Sequence, residues 1–126
     1  MIAVDSSALI AILLAEPDGP DCRNMLQQNS AIISAATLTE VLIVAAGFGI
    51  DRQMSDLIEA LGIDVVALTA DVARDAAIAY GQWGKGNHPA RLNFGDCFSY
   101  ALARDRNCPL LFVGNDFSQT DIRSVL

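Results

Sequence analysis

Short apolar runs alternate with longer amphipathic stretches along this chain, and that alternation constrains its fold more than any other feature. Four short runs are typical of buried strands, at 1–4, 31–33, 64–67 and 109–113. Between them, apolar residues recur at helical spacing at about 8–15, 21–28, 37–46, 51–61, 69–83 and 96–107. Strands alternating with helices predict an α/β fold with a mostly parallel sheet covered by helices on both faces.

The predicted architecture is a three-layer sandwich around a central sheet of four to five short strands. The fifth strand is a short candidate at 122–126. The chain has 126 residues, which is the size of one ordinary domain, and no linker is long enough to divide it. We therefore expect a single domain over 1–126.

The charge balance narrows the possible partners. Eight basic and fifteen acidic residues give a net charge of −7, which argues against a sequence-independent coat for nucleic acid. No apolar stretch approaches the roughly 18 residues of a membrane span, and the amino terminus lacks the basic start of a signal peptide. We expect a cytoplasmic protein with no membrane partner.

Several catalytic classes are excluded by missing residues. His88 is the only histidine, so a two-histidine zinc motif cannot form. The chain has no G-x-S-x-G elbow, no phosphate-binding loop of the G-x-x-x-x-G-K-[ST] type and no complete dinucleotide fingerprint. The three cysteines are odd in number and form no C-x-x-C pair, which predicts reduced, mostly buried thiols at Cys22, Cys97 and Cys108.

Four acidic residues from distant parts of the chain are predicted to meet at one edge of the sheet. Asp5 and Asp116 follow predicted strands, Glu40 lies near the start of a helix that follows a strand, and Asp96 opens a late helix. Ligands of open parallel sheets bind outside the carboxyl ends of the strands. These acids are therefore candidate ligands or catalytic groups.

Each acid also has a purely structural interpretation. Asp5 and Asp96 can cap helices, 37–40 fits the S/T-x-x-E capping box, and Asp116 can be a turn residue. Together, however, four carboxylates at one edge repel one another. A divalent cation relieves that repulsion, and oxygen donors without His or Cys favour Mg²⁺ or Mn²⁺.

Three blocks of sequence carry a resemblance to a known family. They are MIAVDSSAL at 1–9, SAATLTEV at 34–41, and LNFGDCFSYALA at 92–103 followed by LLFVGNDF at 110–117. With these blocks the chain resembles the PIN-domain ribonucleases of the VapC type, the toxins of bacterial type II toxin–antitoxin pairs. The resemblance extends over essentially the whole chain.

The resemblance implies a site and a reaction. Asp5, Glu40, Asp96 and Asp116 would be the catalytic and metal-binding acids, with Asp5 and Asp96 carrying most of the coordination of Mg²⁺ or Mn²⁺. A bound water would cleave RNA to leave a 5′-phosphate and a 3′-hydroxyl. The implied auxiliary residues are Ser6, Asn93, Thr120 and Asp121, and Asp121 competes with Asp116 for the fourth acidic position.

The resemblance also implies partners. Besides the RNA substrate, these are a cognate VapB-like antitoxin that blocks the acidic groove and a second copy in a homodimer, with a larger toxin–antitoxin assembly as a further state.

A loop without acids offers a contact for RNA. Residues 76–95 contain no Asp or Glu but include Trp83, Lys85, His88 and Arg91, which can contact phosphates or stack on bases. The alternative is a solvated loop in which Trp83 and Phe94 pack into the core, and we favour the core for Trp83.

Two other functions fit the size and the α/β pattern. A receiver-type phospho-acceptor domain would need a pair of acids after the first strand and a late lysine, but here Ser6 follows Asp5 and the only lysine is Lys85. A non-catalytic protein-interaction module with an acidic pocket is the second. Metal-dependent phosphorylation would support the first, and RNA cleavage would eliminate the second.

Overall fold

The computed structural model describes residues 1–126 and contains four strands and six helices. In chain order they are β1 (Ile2–Val4), α1 (Ser6–Leu13), α2 (Gly19–Gln28), β2 (Ala31–Ser34), α3 (Ala35–Gly47), α4 (Asp51–Ala60), β3 (Asp64–Val66), α5 (Ala70–Trp83), α6 (Phe94–Asp105) and β4 (Leu110–Leu111). The predicted alternation of strands and helices is confirmed.

The four strands form one sheet in the order β3-β2-β1-β4, and every pair is parallel. β1 lies in the centre, where Ala3 is paired with both Ile32 of β2 and Leu110 of β4. Because all strands run the same way, the residues that follow β1, β2 and β4 emerge at one edge of the sheet.

The two faces of the sheet bury different residues. Ile2, Val4 and Ile33 belong to a core cluster shared with α1 to α4. Ala3 and Ile32, at the alternate positions, belong to a second cluster shared with α5 and α6. This alternation follows from the two-residue period of a strand, and it confirms the three-layer sandwich.

Four helices, α1, α2, α3 and α6, begin about two residues earlier than predicted, and in α3 and α6 the reason is a different cap residue. Ser34 accepts a hydrogen bond from the backbone N–H of Ala36, so α3 starts at Ala35 and the capping box expected at Thr37 does not form. Asn93 caps α6, which places Asp96 in its first turn rather than at the cap. Glu40 is thereby freed from the capping role that its sequence position suggested, whereas Asp96 still takes part in the cap of α6, from its third position.

The fifth strand predicted over 122–126 is reduced to a single bridge between Leu110 and Ser124. Leu110 donates to the carbonyl of Arg123 at 2.9 Å and accepts from the N–H of Val125 at 3.1 Å. β4 has only two residues, so it offers no further backbone groups to extend this pairing.

Two further expectations can be compared with the structure. Cys22, Cys97 and Cys108 are all free and buried, as predicted. None of the helices combines the length and the apolar character that crossing a bilayer requires.

Candidate active site

Asp5 directly follows the central strand and is held from two sides. Its Oδ2 accepts from the backbone N–H of Ser7 at 3.1 Å and from the Ser7 hydroxyl at 2.7 Å, so it caps α1. Its Oδ1 accepts from the hydroxyl of Ser99, on α6, at 2.6 Å. The capping interpretation is thus correct but incomplete, because the carboxylate also links the start of α1 to α6. Only 4% of Asp5 is exposed.

Glu40 projects from α3 toward the same edge. Its Oε1 accepts from the Ser6 hydroxyl at 2.7 Å, so the two serines that follow Asp5 position two different acids: Ser6 holds Glu40 and Ser7 holds Asp5. Burial raises the pKa of Glu40, the hydrogen bond from Ser6 lowers it, and the charge of Asp5 raises it further. The last contribution shows that Glu40 lies within electrostatic reach of Asp5.

Gly95 fixes where the Glu40 carboxyl can lie. A Cβ added to Gly95 would stand 2.8 Å from the Glu40 Cδ and closer still to its Oε2. The absence of a side chain at Gly95 therefore lets the carboxyl of Glu40 rest against the first turn of α6.

Asp96 is the centre of the acidic group. Its Oδ2 accepts from the backbone N–H of Asn93 at 3.0 Å, and its own N–H donates to Asn93 Oδ1 at 2.9 Å. Burial raises its pKa from 3.8 to about 7; the Asn93 hydrogen bond opposes the shift, whereas the charges of Asp5, Asp116 and Glu40 add to it. The charges of all three other members of the predicted quartet thus raise the pKa of Asp96.

Asp116, the fourth acid of the predicted quartet, lies in an exposed turn. The chain passes through Gly114, whose φ of +97° lies in the region that favours glycine, and then reaches Asp116. Its charge raises the pKa of Asp96, so this exposed carboxyl lies within electrostatic reach of a buried acid.

Asp121 is engaged elsewhere. One oxygen accepts from the Tyr100 hydroxyl at 2.6 Å and the other from Arg104 at 3.1 Å. It is not among the charges that shift Asp96, which favours Asp116 as the fourth acid. Thr120 is likewise occupied locally, because its hydroxyl donates to Phe117 and accepts from Ile122, and no contact links it to the quartet.

The sequence reasoning missed three hydroxyl side chains that organise the site. Ser7 binds Asp5 and also accepts from the N–H of Val113 at 3.0 Å, which ties α1 to the segment after β4. Ser99 donates to Asp5 and lies 3.3 Å from the buried hydroxyl of Thr37. The spacing of Ser99 three residues after Asp96 places both on one helical face, and that signal was available in the sequence.

The donor set fits a hard divalent cation in its chemistry. All four side chains offer oxygen, and neither Asp96 Oδ1 nor Glu40 Oε2 takes part in a hydrogen bond within the protein. No three or more His, Cys, Asp or Glu side chains are grouped closely enough to hold a metal as they stand. Binding Mg²⁺ or Mn²⁺ would therefore require the carboxylates to draw together, and the exposed Asp116 has the most freedom to do so.

The candidate RNA loop, residues 84–93, is closed at its base. The N–H of Lys85 donates to the carbonyl of Leu92 at 2.9 Å, and the N–H of Leu92 donates to the carbonyl of Trp83 at 3.0 Å. The side chains of Lys85 and Arg91 are exposed and make no ion pair. This part of the loop is therefore available to phosphates.

The aromatic residues of this region differ from one another. Trp83 is half-buried, donates to Tyr100 at 3.0 Å and meets His88 edge to face, which agrees with the interpretation as a packed residue. His88 accepts from the N–H of Ala90 at 2.9 Å. Phe94 does not pack into the core as the alternative interpretation expected, since it is 78% exposed.

The chain is similar to known proteins over nearly its whole length. The family model described as "PIN domain" matches residues 2–123. The chain is 40% identical over 128 residues to the protein named ribonuclease VapC30 of Mycobacterium tuberculosis, with 98% of each chain covered. It is 38% identical over 128 residues to the protein named ribonuclease VapC of Mycolicibacterium smegmatis, covering 98% of this chain and 99% of that protein.

Solved structures share the fold. The crystal structure of Mycobacterium tuberculosis VapC20, described as a sarcin-ricin loop cleaving toxin, superposes with a TM-score of 0.79 at 17% identity, covering 99% of this chain and 98% of that one. VapBC2 from Rickettsia felis, bound to a promoter DNA fragment, gives a TM-score of 0.71 at 13% identity, covering 98% and 96%.

Proposed function

Since this chain belongs to the PIN domain family and, within it, to the VapC ribonucleases, we propose that its acidic quartet hydrolyses RNA with the help of Mg²⁺ or Mn²⁺. The observation that carries the proposal is the environment of Asp96. A buried carboxyl whose pKa is raised to about 7 by burial and by Asp5, Asp116 and Glu40 is costly to ionise unless positive charge is brought to it. Strongly perturbed carboxyls of this kind cluster at functional sites.

Each member of the quartet has a role that follows from its surroundings. Asp5 and Asp96 would hold the ion directly, because their hydrogen bonds to Ser7, Ser99 and Asn93 fix them in place. Glu40 and Asp116 would act partly through water, since Mg²⁺ usually keeps several waters. When bound, the cation would lower the pKa of a water and bring positive charge to the phosphate. Hydrolysis would leave a 5′-phosphate and a 3′-hydroxyl.

RNA would reach this site along the loop 84–93. Lys85 and Arg91 are exposed cations in a part of the chain that has no acids from 76 to 95. Phosphate contacts from such residues position a strand without reading its sequence. The loop therefore offsets, near the site, the repulsion between RNA and an acidic protein.

A cognate antitoxin is the proposed protein partner, acting as the inhibitor of a toxin. A cationic side chain of the partner would relieve the repulsion among the carboxylates, as a metal ion would. The product of the adjacent gene, if it is this antitoxin, should copurify with the chain and stop its cleavage of RNA. A homodimer is proposed on the same family basis, and sedimentation of the isolated chain would reveal it.

The two competing functions are less well supported. A receiver-type domain would bring a lysine to the acids, whereas Lys85 lies on the loop between α5 and α6, and the residue after Asp5 is a serine bound to Glu40. A non-catalytic module is disfavoured because all four acids of the family pattern are present and share one electrostatic environment.

Cleavage mapping on total cellular RNA tests the proposal. Purified protein should cut at defined sites with Mg²⁺ or Mn²⁺, leave 5′-phosphate ends and lose activity in EDTA. Asp96→Asn keeps the capping geometry but removes a charge, so it should abolish cutting. Cleavage that survives both EDTA and Asp96→Asn would contradict the proposal.

A further inference from the structure

Phe94 is an aromatic side chain left in solvent beside the acids. It is 78% exposed, more than any other large hydrophobic residue of the chain. It stands two residues before Asp96 and directly after Asn93, which caps the helix that carries both. The neighbouring Phe98 packs edge to face against it, with ring centroids 4.9 Å apart and an interplanar angle of 88°. The ring is therefore supported from one side and free on the rest of its surface.

The Phe94 ring and the Glu40 carboxyl lie in the same groove, which runs between α3 and α6. Its apolar walls are formed by Ala36, Ile43 and Val44 of α3 and by Phe98 of α6. At one end the Glu40 side chain rests against Gly95. A ligand in this groove would touch an aromatic ring while its neighbouring phosphate reached the acids.

From this placement, and resting on the proposed function, we propose that Phe94 is a stacking platform for one unpaired nucleobase next to the RNA bond that is cut. Single-stranded RNA presents bases that stack on exposed aromatic side chains, and such stacking tolerates different bases because every base has a π-face. The capping box of Asn93 and Asp96 fixes the backbone that carries the ring relative to the catalytic acid. Phe94 would thus set the position of the strand along the site, while the loop cations hold its phosphates.

The arrangement favours RNA over a protein partner for this ring. Glu40, one of the acids proposed to act on phosphate, lines the same groove as Phe94, so a nucleotide with its phosphate at Glu40 would lie beside this ring. A contact with a second protein chain remains the alternative outcome of the test.

The platform is tested by combining Phe94→Ala with the removal of single bases from the RNA substrate. The substrate is a single-stranded oligoribonucleotide with one mapped cleavage site, intact or with one abasic nucleotide at each position around that site. Phe94→Ala should lower kcat/KM on the intact RNA by about tenfold or more. An abasic nucleotide at one position beside the cut should cause a similar loss in the wild-type chain. Combining the two should add little, because both remove the same contact.

Matched variants separate stacking from other effects. Phe94→Trp should retain cleavage, whereas Phe94→Leu, which keeps apolar bulk without a ring, should lose it. Phe48→Ala removes another exposed phenylalanine, 60% exposed at the end of α3, and should leave cleavage unchanged.

Two results would overturn the platform while leaving the ribonuclease proposal intact. One is equal cleavage by the wild-type chain and Phe94→Ala. The other is a loss of kcat/KM in Phe94→Ala that adds fully to the loss caused by every abasic nucleotide, while sedimentation shows a change in oligomeric state. That result would assign the ring to a protein interface. If the wild-type chain cut no RNA under any metal condition, the proposed function itself would fail and the platform with it.

Discussion

Asp96 shows how one side chain can serve both folding and chemistry. It closes a capping box with Asn93, yet its neighbours make its negative charge costly. The sequence predicted that it lies beside the other acids and suggested that it was the cap itself. What could not be read from the sequence was the exact cap residue, because Asn93, Gly95 and Asp96 are all plausible at a helix start. The missed hydroxyls of Ser7 and Ser99 had the same cause, since serine is common in caps and helices without any role.

The pKa of Asp96 predicts an unusual pH dependence of stability in the metal-free protein. Its carboxyl titrates at about 7 when folded and near 3.9, the usual value for Asp, when unfolded. Between these values the folded state keeps a proton that the unfolded chain has lost, so this residue lowers stability as the pH rises through the window. The effect should be on the order of 1 to 4 kcal/mol.

Thermal unfolding in EDTA at pH 5 and pH 8 measures this effect. From pH 5 to pH 8 the wild-type chain should lose stability through Asp96, and Asp96→Asn should lose less. Mg²⁺ in excess over EDTA should restore the stability of the wild-type chain at pH 8. An identical pH response in both proteins would refute this account of Asp96.

Gly95 offers a second test at the scale of one residue. Gly95→Ala should push the flexible Glu40 carboxyl away rather than unfold the helix, so cleavage should fall by about tenfold or more while stability changes by less than about 1 kcal/mol. Gly81→Ala is the matched control on α5, because nothing lies within 4 Å of its added Cβ. It should keep full activity, and equal cleavage by both variants would show that Glu40 need not be held there.

The elements were predicted more reliably than their ends. The periodic segments gave all six helices, and the apolar runs gave all four strands, because burial on one or both faces leaves a regular pattern in the residues. The ends depended on caps and on pairing partners that lie far away in sequence. The predicted strand at 122–126 shows this limit, since it pairs only through Leu110 and ends where the two-residue β4 ends.

Two helix caps separate stability from activity. Asn93→Ala and Thr69→Ala each remove a cap, of α6 and α5, and each should cost about 1 kcal/mol in the free energy of unfolding. Only Asn93→Ala should also reduce RNA cleavage, because Asn93 orients Asp96 and fixes the start of the helix that bears Phe94. Chemical denaturation and cleavage rates measured on both variants give the comparison. A parallel loss of activity in both would mean that α6 has no special role.

The charge of the whole molecule is unevenly distributed. Of the fifteen acidic residues, four belong to the quartet; without them eleven acids would face eight bases, a balance of −3. The net charge therefore excluded a general nucleic-acid coat without excluding a nuclease. That the acids meet at one edge is expected from the strand order and from the rule that ligands bind at carboxyl ends. The preference for Asp116 over Asp121 as the fourth acid rests instead on the three-dimensional contacts of Asp121.

Reversing the two exposed cations of the loop tests how an acidic protein holds RNA. Lys85→Glu with Arg91→Glu should weaken RNA binding, measured with the non-cleaving Asp96→Asn background, and should reduce the dependence of affinity on salt. The control reverses Arg23 and Arg52 instead, on α2 and α4, which changes the net charge by the same amount. If both pairs have the same effect, binding depends on overall charge and not on the loop.

Direct measurement of Mn²⁺ binding tests the central claim that the quartet is a metal site for RNA hydrolysis. Calorimetric titration at pH 8 should show binding by the wild-type chain and by Asp121→Asn, whose side chain serves Tyr100 and Arg104. Asp5→Asn and Asp96→Asn should bind at least about tenfold more weakly, because each removes a charged oxygen ligand. Equal Mn²⁺ affinity in all four proteins would contradict the account.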